Sequence, residues 1–290
     1  GKRALVRVNQ NVYMVTIPPV GGEAPTIAVT SSSAVPTWRL TKVGGDFIGW
    51  KFDGSRAYYS IGRSFFLYDW SKAELMKKEA SKDAKDEDED EDEDEVTQPN
   101  YETNRVDLEI TAKKDKPNGT VVLQGGRIIT MKGKEVIEKG DVVIKDNRIV
   151  AVGATGTITI PNKAEIIDVS GKTIMPGLVD IHAHAWVAWG VHREQVSQFM
   201  AQLAYGVTTQ RDPQTSSTDI VAYSDLMETG QLIGPRLFST GPGIFSNDNI
   251  KSLADARDVV RRYADHYNTQ TIKQYLAGDR KVRQWVIMAA

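Results

Sequence analysis

The chain has no cysteine among its 290 residues. Disulfides and thiolate metal sites are thereby excluded, so any metal must be held by histidine, carboxylate or a modified side chain. That absence fits the cytoplasm and an exported protein equally well. Histidine is scarce, with four in the whole chain. No apolar run approaches the roughly 18 residues that a membrane span needs, and neither a membrane nor a nucleic-acid partner is expected. No signal peptide opens the chain. Its first residues, "GKRALVRVNQNVYMVTIPP", already read as strands, so the chain is expected to begin inside a domain, with any export signal upstream. What remains, 40% hydrophobic and 26% charged residues, is the composition of a globular protein of about two domains.

Charge is unevenly spread. Residues 86–95, "DEDEDEDEDE", carry −10 of a net −2, which leaves +8 on the remainder. Ten consecutive acids repel one another and bury nothing, so residues 83–96 are expected to be disordered and residues 76–99 to form a solvated linker. An acidic tail for a basic partner or loosely held cations is the sharper alternative.

Residues 1–75 are β-rich. "RALVRV", "VYMVTI", "FIGWKF", "RAYYSI" and "SFFLYDW" are short β-branched or aromatic runs separated by Gly, Asp and Asn. A tryptophan, then Asp53-Gly54, then another strand resembles a propeller blade. At about 40–45 residues per blade this stretch supplies two at most, and a propeller typically needs four or more. "KAELMKKEA" is a helical candidate at the start of the linker. Residues 100–118 return to a strand and a connection. Residues 119–176 read as a small β-sandwich of short strands, with a hairpin turn at Asp146-Asn147.

The pattern changes at Pro176. Four strand-then-helix pairs follow across residues 177–290, beginning with "GLVDIHAH", "VTTQRD", "PRLFSTG" and "TIKQY". Gly206 and Gly230 are placed as helix stops, and Ser252 as an N-cap. Such alternation implies a parallel sheet with helices outside. A (β/α)8 barrel takes about 250 residues, so this stretch amounts to its first half. The fold class expected is therefore multi-domain: a propeller remnant, a small β-sandwich and half of a barrel.

Two of the four histidines sit one residue apart in "GLVDIHAHA". On a strand, Asp180, His182 and His184 point one way, and Val179, Ile181 and Ala183 the other. The apolar set suits packing against outer helices; the polar set then faces the barrel interior, at the C-terminal rim where barrel sites are built. Residues two apart rise about 6.6 Å and zinc–nitrogen bonds are roughly 2.0–2.1 Å, so both imidazoles can converge on one ion. The plainer reading is two core histidines satisfied by hydrogen bonds. Two on one face beside Asp180 favour the metal.

"IDVSGKTIMPGLVDIHAHA", "TVVLQGGRIITM", "GDVVIKDNRIVAVG" and "GVTTQRDPQT" resemble the metal-dependent amidohydrolases, over residues 119–290. Residues 1 to about 110 resemble the tail of a TolB-like propeller, which a subgroup of those proteins carries ahead of the barrel. The resemblance implies one or two divalent metal ions, usually zinc, with His182 and His184 as ligands. It also implies a carbamylated lysine bridge, for which Lys273 in "TIKQY" is the matching position; the plainer reading is a solvated lysine at a strand end. The reaction implied is hydrolysis of a C–N bond, amide or cyclic amide, in a small-molecule or peptide-like substrate, through a metal-activated water. An exported or periplasmic setting follows from the propeller resemblance. The remaining family parts, two histidines and a proton-shuttling Asp, would lie beyond Ala290, so the catalytic residue is unassigned. This length alone is expected to be inactive, a piece of a longer protein or one needing an oligomer or complementing chain. His192 is expected in a surface loop, His266 in a structural role, and Arg211 and Asp212 as supports of the rim. The opposing hypothesis is a binding or scaffold protein that uses the propeller and acidic segment.

Overall fold

A computed structural model describes the chain except for residues 1, 24, 31–32, 84–102, 187–189 and 191. The acidic run, and with it the expectation of disorder there, lies outside the described residues. Contacts divide the chain into two compact units, Gly1–Ile110 with Thr240–Ala290, and Thr111–Ser239. Among the described residues, no helix is long and apolar enough to cross a membrane.

The first unit opens with two antiparallel sheets. Strands β1 (Arg3–Val8), β2 (Asn11–Thr16) and β3 (Thr37–Arg39) form one. Strands β4 (Asp46–Trp50), β5 (Ala57–Ile61), β6 (Ser64–Tyr68) and β7 (Asn104–Asp107) form the other, in that order. Alternation drives both. In β5 the residues Ala57, Tyr59 and Ile61 are buried while Tyr58 and Ser60 are only half-buried. Ala57 and Tyr59 share a core with Val12, Met14, Leu40, Tyr68 and Ala73, and Ile61 joins a second one with Ile244, Val259 and Tyr263. Helix α1 (Trp70–Asp83) follows β6, and the carboxylate of Asp69 accepts from the Lys72 amide at its start.

The second unit begins with a five-stranded sheet. Strand β8 (Thr120–Ile129) pairs antiparallel with β9 (Val136–Lys145), which pairs antiparallel with β10 (Arg148–Ala154). Strands β11 (Glu165–Asp168) and β12 (Thr173–Ile174) both pair parallel with β8, at successive registers. Lys145 faces Arg148 across the β9–β10 turn, which therefore falls at Asp146-Asn147 as expected. Asp146 takes a positive φ of 56°, a conformation that Asp tolerates better than most residues. Its carboxylate also accepts from the Gly119 amide at 3.1 Å.

Next comes a parallel sheet of β13 (Leu178–Asp180), β14 (Val207–Asp212) and β15 (Arg236–Ser239). Helix α2 (Ser197–Ala204) joins β13 to β14, and α3 (Asp219–Glu228) joins β14 to β15. Gly206 and Gly230 follow these helices at φ of 83° and 79°, and their amides donate back to Leu203 and Met227, the helix-stop role read from the sequence. Phe199, Ile220 and Tyr223 are fully buried beside Ala185, Val196, Leu232 and Leu237. Each large apolar side chain buried there contributes about 1.5–3 kcal/mol. The register of β13 on β14 slips by one residue between Leu178 and Val179, leaving Thr208 as an extra residue on β14. A side chain at Gly177 would meet the Thr208 hydroxyl at 2.0 Å, so the glycine of the Pro-Gly turn is required by this bulge.

The first unit is completed by α4 (Leu253–Arg261), a π-helical turn (Arg262–His266) and α5 (Arg280–Ala289). Ser252 caps α4 by accepting from the Asp255 amide, and the Asp255 carboxylate in turn accepts from the Ser252 amide, a capping box. The expected fourth strand, "TIKQY", is reduced to a single parallel bridge between Ile244 and Gln274. The reason lies just after β15. Gly241 sits at φ 70°, and Pro242 has no N–H for a ladder, so the strand cannot run on to Ile244.

His266 occupies the structural place expected of it. It lies on the π-helical turn, its Nδ1 3.3 Å from the Ser64 hydroxyl and its ring edge-on to Phe66. Gly62, at φ 54°, passes so close that a Cβ would stand 2.0 Å from the His266 carbonyl oxygen. Burial, reinforced by the Arg105 guanidinium, holds the imidazole below its ordinary pKa. The folded state thus favours neutral His266, while the unfolded chain takes up the proton at the ordinary value near 6.5. Stability should be level above that pH and fall as pH drops through it toward the lower folded-state pKa. Urea midpoints at pH 7.5 and 5.5 check this: His266→Gln should narrow the difference between them, and an unchanged difference would assign the slope to other groups.

Candidate functional site

The histidine pair stands just past the end of β13. That strand stops at Asp180, yet the backbone beyond it stays tied to β14. The Ala183 amide donates to the Arg211 carbonyl at 3.0 Å, and the Gln210 side-chain amide donates to the Ala183 carbonyl at 3.2 Å. Asp180 turns its carboxylate onto the His182 amide at 3.0 Å. The two imidazoles come together with ring centroids 5.3 Å apart and planes at 78°. His182 is exposed and His184 half-buried.

His184 is the better fixed of the two. Its Nδ1 lies 2.8 Å from the Gln214 carbonyl oxygen. A carbonyl only accepts, so Nδ1 carries a proton, and in the neutral imidazole the lone pair is then on Nε2. Gln198 donates to the His184 carbonyl at 3.0 Å, and the Trp186 indole stacks on the ring at 5.2 Å, with planes 13° apart. Metal-ligating histidines characteristically donate the second ring N–H in this way, to a main-chain carbonyl or carboxylate. His184 meets that test, and the His182 ring stands beside it. Among the described residues, no group of three His, Asp or Glu gathers that could hold an ion.

Beneath His184 lies Asp212, fully buried. Its Oδ1 accepts from the amides of Ala185 (3.3 Å) and Gln214 (3.4 Å), and its Oδ2 from the Ser239 hydroxyl at 2.7 Å. Nδ1 of His184 is 3.7 Å from the same carboxylate. Burial pushes this carboxyl above the ordinary range, against the opposing pull of its hydrogen bonds and of His184. Asp212 therefore pins the backbone on both sides of the histidine: the residue after it, and the residue whose carbonyl it donates to.

Over 75 residues the chain is 40% identical to the dihydroorotase of Bacillus thuringiensis (strain Al Hakam), and equally to that of Bacillus anthracis (strain A0248). A segment of this chain is similar to dihydroorotase. The likeness to this hydrolase takes in 26% of the chain, which spans 16% of the length of the curated relatives it matches. Among solved structures, a prolidase complexed with N-methylphosphonate-L-proline aligns with a TM-score of 0.46 and 24% identity, over 59% of this chain and 53% of that one. An amidohydrolase aligns with a TM-score of 0.47 and 19% identity, over 59% and 54%. No protein-family model matches the chain.

Lys273 belongs to the first unit, whereas the histidine pair belongs to the second. It is half-buried, and its carbonyl accepts from the Ile244 amide. Its Nζ lies 5.8 Å from the Tyr275 ring centroid, in keeping with the two sharing a face. His192 is in the loop before α2, 3.5 Å from the Asp219 carboxylate and beside the Tyr223 ring. The apolar partners of the histidine strand depart from expectation: Val179 is 60% and Ile181 74% exposed. Each helix packs on the strand that it leads into, α2 on β14 and α3 on β15. No described helix leads into β13, so that face lacks its cover.

Two residues of the site escaped the sequence reading. Gln210 shares the buried face of β14 with Asp212 and is itself fully buried, while its Oε1 meets no donor among the described residues. Trp186 continues the alternation Asp180, His182, His184 by one more step. Period-two spacing is the signal for both: along β14 it pairs Gln210 with Asp212, and past β13 it runs from His184 to Trp186.

Proposed function

We propose that the chain carries the histidine arm of a metal-dependent hydrolase of amidohydrolase type, which cleaves C–N bonds, amide or cyclic amide, in a small-molecule or peptide-like substrate. The observation that supports this most is the His184 tautomer: Nδ1–H held by the Gln214 carbonyl and Nε2 left for a cation, with the His182 ring beside it. The partial sequence likeness to dihydroorotase points the same way. On this reading residues 1–75 are terminal blades of a TolB-like propeller, 119–176 the sandwich segment, and 177–290 the first half of a barrel. An exported or periplasmic setting is part of the same proposal.

His182 and His184 would hold a divalent ion, zinc by preference. Such an ion, when bound, lowers the pKa of a coordinated water toward neutrality and polarises a carbonyl. The chain's own contribution is orientation. Asp212 holds the amides of Ala185 and Gln214, Gln210 holds the Ala183 carbonyl, and together they keep the pair in register. Lys273 is proposed as a further ligand in carbamylated form, which requires its amine to be neutral before it adds to carbon dioxide.

The test uses the full-length protein. Metal content is measured by elemental analysis, the ion is removed by chelation and restored, and hydrolysis of simple amides and cyclic amides is followed throughout. Metal-dependent turnover is expected. A metal-free protein that binds basic partners through its acidic segment would instead establish the scaffold reading.

A further inference from the structure

The indole of Trp186 lies nearly parallel to the His184 imidazole, 5.2 Å between centroids, and the residue is 62% exposed. Exposure alone would say little, since single exposed apolar side chains are common; what sets this tryptophan apart is its stacking on a histidine of the candidate site, and tryptophan is enriched where proteins meet partners. Here one face of the indole is spent on His184 and the orientation is thereby set. The other face is turned away from the imidazole, two residues along the chain from the proposed metal ligand. Resting on the hydrolase reading above, we infer that this outer face is a stacking platform for the substrate. It would take a planar, unsaturated group, aromatic or heteroaromatic. Saturated groups of equal size would gain less, because ring-on-ring stacking adds to plain burial only when both partners are flat.

Benzamide and cyclohexanecarboxamide separate these effects. The two match in size, but the cyclohexyl group is the more hydrophobic, so burial alone favours it, whereas a platform favours the flat ring. Calorimetry on the full-length protein should find benzamide bound about 3-fold more tightly, a stacking contact's contribution less what the more hydrophobic cyclohexyl group recovers. Trp186→Phe should keep part of that preference and Trp186→Ala should lose it. Elemental analysis of each variant reports whether the histidines still hold metal and so guards against a folding artefact. No preference in the wild type, or the same preference in Trp186→Ala, overturns the inference. Turnover of the matching anilides decides the hydrolase reading separately: an intact binding preference without hydrolysis would remove that reading and leave the platform standing.

Discussion

Replacing both His182 and His184 by Asn in the full-length protein is expected to lower affinity for a divalent ion by roughly 100-fold or more. Loss of an outer partner that merely orients a ligand costs 10–100-fold, and here two ligands go. The single substitutions should be unequal. His184 is locked by Gln214 and stacked by Trp186, so it is already in a ligating posture, whereas exposed His182 must be ordered when the ion arrives. His184→Asn should therefore cost more than His182→Asn. Folding should survive, because the bonds from Ala185 and Gln214 to Asp212 do not involve either ring; a change of about 1 kcal/mol is the scale for such sites. Chelator competition and elemental analysis read the result. Wild-type occupancy in the double variant would remove the pair from any metal site.

The second large effect is on stability. Asp212→Ala takes the acceptor from two backbone amides and one hydroxyl at a fully buried position. A buried donor left unsatisfied costs about 1–3 kcal/mol. Part of that is offset, because a desolvated carboxylate is itself costly to keep. A net loss of about 3 kcal/mol is expected, which for a protein of this size lowers Tm by roughly 10 °C. Asp212→Asn should cost less than half as much. Its amide oxygen can still serve the two backbone N–H groups, and its NH2 can donate to Ser239. Ser239→Ala, which takes the hydroxyl from the Asp212 carboxylate, should cost about 1 kcal/mol, and less again in the Asp212→Ala background. Urea melts of the four variants measure these terms. An Asp212→Ala protein that unfolds with the wild type would mean that the carboxylate is not the anchor described.

Local signals were legible in the sequence, and pairings formed over distance were not. Gly206, Gly230, Ser252 and the Asp146-Asn147 turn each act through one or two residues of backbone geometry, and each sits where its chemistry put it. The clustering of His182 and His184 followed from period-two spacing alone. By contrast β3, Thr37–Arg39, is three residues long, too short for any periodicity, and exists because β2 offers it a ladder. The "TIKQY" strand failed for the opposite reason. Its own pattern is strand-like, but the backbone turns at Gly241-Pro242, and among the described residues the ladder is limited to the bridge that Ile244 makes with Gln274. Asp212 drew only a general supporting role, since a carboxylate at the end of a strand looks the same whether it faces water or, as here, three protein donors.

The acceptor that sets the His184 tautomer is the main-chain oxygen of residue 214, not a side chain. Its chemistry is therefore the same for every amino acid that leaves the backbone in place. Position 214 should tolerate wide variation without disturbing the imidazole, and a saturation library there should be nearly silent for metal affinity. Conservation scores would pass over such a position while its carbonyl continued to orient the ring. A designer transplanting this pair of histidines would have to carry the loop's path along with the two side chains.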